Sequence, residues 1–433
     1  MYLTGRTPVL VALGALPVIA LSAAGVDAWL AAAGWVVLCA LLAGVDAAAA
    51  ADPRRVRVER SVPRRALLHS AVPTSLTLRG PRRLRGWLRD GWQPTAGAPP
   101  QRLRVRLDAD EPVRLEMVLR PRRRGELVSR FVVLRSQGPL GLAGRQARLD
   151  VPGALRVLPP FTARRHLPSR LARLRELDGA TSVLIRGQGT EFDSLRPYVR
   201  GDDVRSIDWR ATARSGTTML RTWRPERDRH IVIVIDTGRT SAARVGDGVR
   251  LDAEMEAALL LSALAAQAGD HVHLVMFDRL VRARVSGVDG DALLPAMVDA
   301  MAPVEPSLID TDWDAAFAQV RALAVRPSLV VLLTAQDEVA SARGFLGSLP
   351  AVTAHAHVLV GTVTDRELTD RVAARETVGD VYRAAAAEQT LADAARVAAA
   401  VARAGAEAIA DDPEMLPPRI ADRYLALKAT GRL

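Results

Sequence analysis

The sequence predicts an α/β chain: a doubly wound, mostly parallel sheet, preceded by a small antiparallel β-sandwich and an N-terminal transmembrane helical hairpin. Three observations carry this reading. Two apolar runs without charge open the chain, at residues 8–25 and 28–45. Short stretches of alternating polarity follow from 56 to 159. From His230 onward, continuous apolar runs alternate with helical patterns. The implied divisions are 1–53 for the hairpin, 54–160 for the β domain, 161–229 for a linking segment and 230–433 for the α/β domain. A length of 433 residues exceeds one ordinary domain, as that division requires.

Each apolar run is about 18 residues, just enough to cross a bilayer core as a helix. Arg6 precedes the first run, and Arg54, Arg55, Arg57 and Arg60 follow the second. Positive flanks stay inside, so both ends of the hairpin and everything after it are expected in the cytoplasm. Two other readings compete. The first run could be a signal peptide, with Ser22, Ala23 and Ala24 offering small residues for cleavage. Both runs could also be Ala-rich core helices of a soluble protein. Their position back to back at the N-terminus, with Arg only outside them, favours the membrane.

The β domain is read from stretches such as Ser75-Leu76-Thr77-Leu78, residues 102–107 and residues 113–119, in which apolar side chains recur at every second position. Residues 94–100 are expected to form a loop. Pro121-Arg122-Arg123-Arg124-Gly125 is expected to be a basic turn. Between Arg54 and Arg156 there are 24 Arg against 8 acidic residues, a local charge of +16 within a net +11. This surface could be simply solvated, lie against anionic lipid headgroups, or bind nucleic acid. A polybasic stretch directly after a span favours the lipid bilayer as partner. No nucleic acid is expected, because aromatics for stacking make up only 4% of the chain.

In the α/β part, the run His230–Asp236 reads as a fully buried parallel strand ending in a carboxylate. Helix 252–268, strand 271–277, helix 313–324, strand 328–334, strand 357–360 and helix 389–404 follow. Functional crevices of such folds open beyond the carboxyl ends of the strands. That gathers Asp236, Asp278 and the 334–337 loop at one rim. His271 and His273 alternate as on a strand, as do His355 and His357, and none of the 7 His shows a ligand spacing. The single cysteine, Cys39, excludes an intramolecular disulfide and a Cys-rich metal site.

The hexapeptide Asp236-Thr237-Gly238-Arg239-Thr240-Ser241 resembles the Asp-x-Ser-x-Ser start of a metal-ion-dependent adhesion site in von Willebrand factor type A domains. The resemblance implies a hard cation such as Mg²⁺ in an oxygen cage. Asp236 is kept, Thr240 stands for the second Ser, and Thr311 is placed like the family's distal Thr. Gly238 lacks the first hydroxyl, and Ala335 falls where the family's second Asp would be, with Asp337 nearby. The expectation is a degenerate site of Asp236, Thr240 and Thr311 that binds Mg²⁺ weakly or keeps Asp236 only as a hydrogen-bonding carboxylate. Ile235-Asp236-Thr237-Gly238 also matches the aspartic-protease loop, but one copy in a strand-to-helix context argues against a hydrolase. Neither a Gly-x-x-x-x-Gly-Lys phosphate loop nor a Gly-x-Ser-x-Gly elbow occurs.

Ahead of this domain lie Glu191-Phe192, Leu195-Arg196, Tyr198, Gly201-Asp202-Asp203, Arg205, Ile207-Asp208-Trp209 and Ala213-Arg214, then Trp223-Arg224-Pro225-Glu226-Arg227. Together they resemble the signature of the bacterial domain of unknown function 58 family, most specifically over 185–280. The resemblance implies a scaffold or adaptor rather than an enzyme, acting with a MoxR-type AAA+ ATPase in chaperone-like or envelope-related processes. Read as residues alone, the charges form either an ion-pair clamp or a docking surface comprising Arg196, Tyr198, Arg200, Asp202, Asp203, Arg205, Asp208 and Arg214. A catalytic acid pair, Asp202 with Asp208, is a third reading, but no Lys or His lies near to serve it. Trp209 is expected to be a buried anchor beneath the paired charges, with the segment laid across the sheet edge near Asp236.

Overall fold

The structure is a computed structural model that describes residues 1–99, 102–184, 191–199, 202–224, 229–246, 248–324, 326–337, 341–374 and 376–433. The chain divides into two compact units, Met1–Leu158 and Pro159–Leu433.

In the first unit the leading apolar run forms helices Arg6–Leu13 and Ala15–Ala23, and the second run forms Ala28–Ala49. Both runs are long and apolar enough to cross a membrane. Gly14 permits their contact, because a Cβ there would lie 2.1 Å from the Trp35 ring. Trp35 Nε1 donates to the Leu10 carbonyl at 3.3 Å, satisfying its polar edge within the hairpin. At the far turn Asp27 caps the second run, accepting from the N–H groups of Trp29 and Leu30.

Both near ends of the hairpin are fastened to the β domain. Tyr2–Leu3 pairs antiparallel with Ala143–Leu158. Asp46, fully buried, accepts from the backbone N–H groups of Leu140, Leu142 and Ala143 at 2.7–2.8 Å. The sandwich has one sheet in the order Tyr2–Leu3, Ala143–Leu158, Gly125–Gln137, Leu84–Trp92, Leu103–Leu107, and another in the order Arg57–Ser61, Val72–Arg79, Val113–Leu119. Their inward residues, Leu76 and Leu78 against Leu84, Leu88, Leu107 and Leu134, make the core. Arg60 and Asp90 bridge the sheets by two hydrogen bonds of 2.6 and 2.7 Å. The basic turn expected at 121–125 carries the chain from one sheet to the other.

The second unit contains a sheet of β1 (His230–Asp236), β2 (His271–Phe277), β3 (Val281–Val285), β4 (Leu329–Leu333), β5 (His357–Val363) and β6 (Glu407–Asp411), in the order β3-β2-β1-β4-β5-β6. All neighbours are parallel except β2 with the edge strand β3. The run in β1 is continuous because both faces are covered. Ile231, Ile233 and Ile235 pack toward helices α1 (Arg250–Gln267) and α5 (Leu416–Ala429). Val232 and Val234 pack on the opposite face toward α3 (Trp313–Leu323) and α4 (Val378–Arg403), with α2 (Leu293–Met301) completing the first layer. Strand order reverses between β1 and β4, which makes that gap the topological switch point.

Two expectations need correction. Helix α4 starts at Val378 instead of 389, because Thr377 and Asp380 form a capping box that nucleates it a full three turns earlier. His355 lies before β5 instead of in it. His271 and His273 do share a face: both rings stack on His230 at 5.2 Å.

Candidate functional site: a hydroxyl-closed carboxylate and an exposed hairpin

Asp236 ends β1 at the switch point and is 2% exposed. Its carboxylate is surrounded by donors. Oδ1 accepts from Gly238 N–H at 2.8 Å and from Thr311 Oγ1 at 2.5 Å. Oδ2 accepts from Thr334 Oγ1 at 2.7 Å and Thr240 Oγ1 at 3.2 Å. Burial pushes the Asp236 carboxyl up, and these four hydrogen bonds only partly offset it. Thr240 and Thr311 are thus at Asp236 as the resemblance implied, and Thr334, in the loop expected at this rim, is a further partner whose bond to Asp236 was not foreseen.

Gly238 explains the arrangement. A Cβ at that position would meet Thr311 Oγ1 at 2.4 Å and the Ile309 carbonyl at 2.9 Å. The missing hydroxyl of the adhesion-type motif is therefore replaced in space by Thr311, which occupies the volume a Ser side chain would need. Ala335 is fully buried and offers no ligand. Asp337 is turned to Arg250, whose Nη1 donates to it at 2.9 Å and to the Thr240 carbonyl at 3.0 Å. Asp278, at the end of β2, is equally engaged, accepting from Arg282 Nε at 2.7 Å and from the Arg279 and Leu280 N–H groups. Burial raises the Asp278 carboxyl, but these donors outweigh it and hold it below the usual range. The donor set does not fit the five-ligand Mg²⁺ cage of the resemblance, since Gly238 and Ala335 supply no oxygen and both oxygens of Asp236 are already engaged by protein hydrogen bonds.

Glu254 was not anticipated. It sits on α1 with no exposed surface, and among the described residues neither carboxylate oxygen completes a hydrogen bond. Burial, then the neighbouring Asp236, drive its carboxyl well above the ordinary range, against the weaker pull of Arg250 and Ser241. Nothing in the sequence singles it out, since Asp252 and Glu256 are acids two positions to either side.

The signature segment forms a separate antiparallel pair, Glu191–Pro197 with Met219–Arg224, joined through a short helix Trp209–Ser215. Arg196 grips Asp202 by two bonds of 2.6 and 2.7 Å. Asp208 caps the short helix, accepting from the N–H groups of Arg210 and Ala211, and pairs with Arg221 at 2.7 Å. The Ala211 N–H and then Arg221 hold its carboxyl below the usual range. Asp203 caps the turn at Arg205. Asp202 and Asp208 therefore have separate partners and are not a catalytic pair. Arg205 and Arg214 are exposed, Tyr198 is half-buried, and Arg200 lies outside the described residues. The expectation for Trp209 is overturned: it is 70% exposed, because Asp208 fixes the helix start with position 209 facing outward. Val199 and Val204 are each 61% exposed beside it in the chain.

A family model described as "Protein of unknown function DUF58" matches residues 194–408. The chain belongs to the DUF58 family. Two solved structures are similar to parts of it. The VWA domain of SpRpn10 is 12% identical with a TM-score of 0.29, over 45% of this chain and 94% of that one. A chain of the human seminal-plasma complex of zinc 2-glycoprotein with prolactin inducible protein is 13% identical with a TM-score of 0.20, over 24% and 92%. No curated protein matches. For this DUF58 protein the von Willebrand factor A-like character rests on the strand order and the single antiparallel edge strand.

Proposed function

We propose that this DUF58 protein is a membrane-anchored scaffold or adaptor with its bulk in the cytoplasm, acting with a MoxR-type AAA+ ATPase in a chaperone-like or envelope-related process. The observation that carries the docking part is the exposed Trp209, with Val199 and Val204, on a hairpin whose Asp202, Asp203 and Asp208 are already paired or capping. Exposed aromatic and Arg side chains are the usual anchors of protein interfaces. Arg205 and Arg214 supply that charge here. The saturated Asp236 favours a binding role over catalysis, with Mg²⁺ held weakly at most. The cytoplasmic assignment is supported by the Arg flanks and by the fastening of both hairpin ends to the β domain.

The test is a titration of the full chain in detergent with a MoxR-type ATPase of the same organism. Trp209→Ala and Arg205→Glu should each weaken binding about tenfold, the size of an interface anchor. Unchanged binding in both variants would refute the docking surface. Binding that requires Mg²⁺ and is lost in Asp236→Ala would favour an adhesion-type module instead.

A further inference from the structure

We infer that the first unit carries a discrete binding site for the phosphate headgroup of an anionic phospholipid, at the junction of the helical hairpin and the β-sandwich. This rests on the reading of the two helices as membrane spans and goes beyond it, because a span by itself selects no headgroup.

A cavity of about 790 Å³ opens there. One wall is the near end of the hairpin, with Arg6 at the start of the first run and Ala51 just past the second. The other is one face of the sheet, with Arg85 and Trp87 on Leu84–Trp92 and Arg104 and Arg106 on Leu103–Leu107. The register sets Arg85 directly across from Arg106, and Trp87 across from Arg104. Period-2 alternation therefore puts all four side chains on one face.

The electrostatics of the cavity are one-sided. Among the described residues no carboxylate lines it. Arg83 at its rim pairs with Asp108 at 3.1 Å, but among the described residues Arg6, Arg85, Arg104 and Arg106 have no acidic partner. Arg104 instead stacks over the Trp87 ring at 5.1 Å. Like charges directly opposed on neighbouring strands destabilise a sheet, so the Arg85–Arg106 pair is unfavourable until an anion lies between them. Guanidinium forks match phosphate oxygens two by two, and Trp is the residue that favours the headgroup level of a membrane. The position decides the source of the phosphate. The cavity is bounded by the two hairpin ends that would emerge from the inner leaflet, so a headgroup reaches it while its acyl chains stay along the helices.

The experiment uses the full chain in nanodiscs of phosphatidylcholine with or without phosphatidylglycerol, reading retained lipid by native mass spectrometry. The wild type should retain phosphatidylglycerol selectively. Arg85→Gln/Arg106→Gln should lower that selectivity about fivefold per arginine, while Arg122→Gln, an exposed arginine on the far basic turn, should not. If the double variant fails to fold, Arg104→Gln serves as the second probe. Equal retention by cavity variants and the Arg122 control would overturn the proposal. So would displacement of the lipid by inorganic phosphate as readily as by short-chain phosphatidylglycerol, which would mark a site for free phosphate. Carbonate extraction of native membranes separates the two levels: a protein washed off has no spans, whereas one that stays without lipid selectivity has spans and no headgroup site.

Discussion

At the scale of single residues, two buried carboxylates in the α/β unit are shifted opposite to Asp208, Asp278 and Asp380, which are lowered. Asp236 and Glu254 are both raised, chiefly by burial, from ordinary values of 3.8 and 4.5. The folded state therefore keeps protons that the unfolded state releases, and their contribution to stability falls as pH rises from those values through the folded ones. Replacing Glu254, whose carboxylate is fully buried, with an apolar side chain of similar length removes that loss. Glu254→Met should stabilise the protein by about 1–3 kcal/mol at pH 8, with a smaller gain near pH 5. Thermal melts of both proteins across that range check it, and a gain that does not grow with pH would contradict it. Gly238→Ser tests the spatial replacement by Thr311. The added side chain collides with Thr311, so the variant should lose about 1–3 kcal/mol and gain no Mg²⁺ affinity in calorimetry. Truncating the obstacle in Gly238→Ser/Thr311→Ala should recover part of the loss.

At the scale of elements, the signature hairpin is held by its own charges, while Val199, Val204 and Trp209 face out. Trp209→Ala should accordingly change stability by less than about 0.5 kcal/mol, in contrast to the several kcal/mol of a core aromatic. A melting curve shifted by more than a few degrees would mean that Trp209 packs against something in solution. Helix α5 shows the reverse case. Lys428, the only lysine in the chain, is buried against Asp270 at 3.2 Å, and Tyr424 Oη donates to the same carboxylate at 2.5 Å. Lys428→Met strands a buried Asp270 and should cost about 3–5 kcal/mol, measured by urea denaturation. A loss under about 1 kcal/mol would show that Tyr424 alone satisfies the carboxylate.

At the scale of the whole molecule, the hairpin is part of the first unit rather than a detached anchor. The Asp46 carboxylate takes three N–H groups of the turn before Ala143–Leu158, and Arg145 donates back to the Ala47 and Ala48 carbonyls. Asp46→Ala would leave the buried Leu142 and Ala143 N–H groups without acceptors. It should make the turn at 138–142 cleavable by protease in membranes where the wild type resists, and equal resistance would show the junction to be redundant. The proposed topology predicts that a reporter active only outside the cytoplasm stays silent when fused after Leu433. An active fusion would reverse the orientation.

The sequence by itself determined what depends on local pattern. Apolar length marked the hairpin, period-2 alternation the sandwich, and continuous apolar runs the buried parallel strands, because each follows from which faces must avoid water. The signature motif marked the family. Pattern also placed Asp236, Asp278 and the 334–337 loop at one rim, since strand ends converge there in any doubly wound sheet, while Thr240 and Thr311 came from the resemblance to the adhesion-type motif. What required the tertiary structure was pairing between residues far apart in the chain. Thr334 and Thr311 reach Asp236 from 98 and 75 positions away, and only the arrival of Thr311 shows that Gly238 leaves no room for a ligand side chain. The outward face of Trp209 and the buried carboxylate of Glu254 were decided the same way. Burial is a property of what the rest of the fold brings up against a side chain, and no local spacing encodes it.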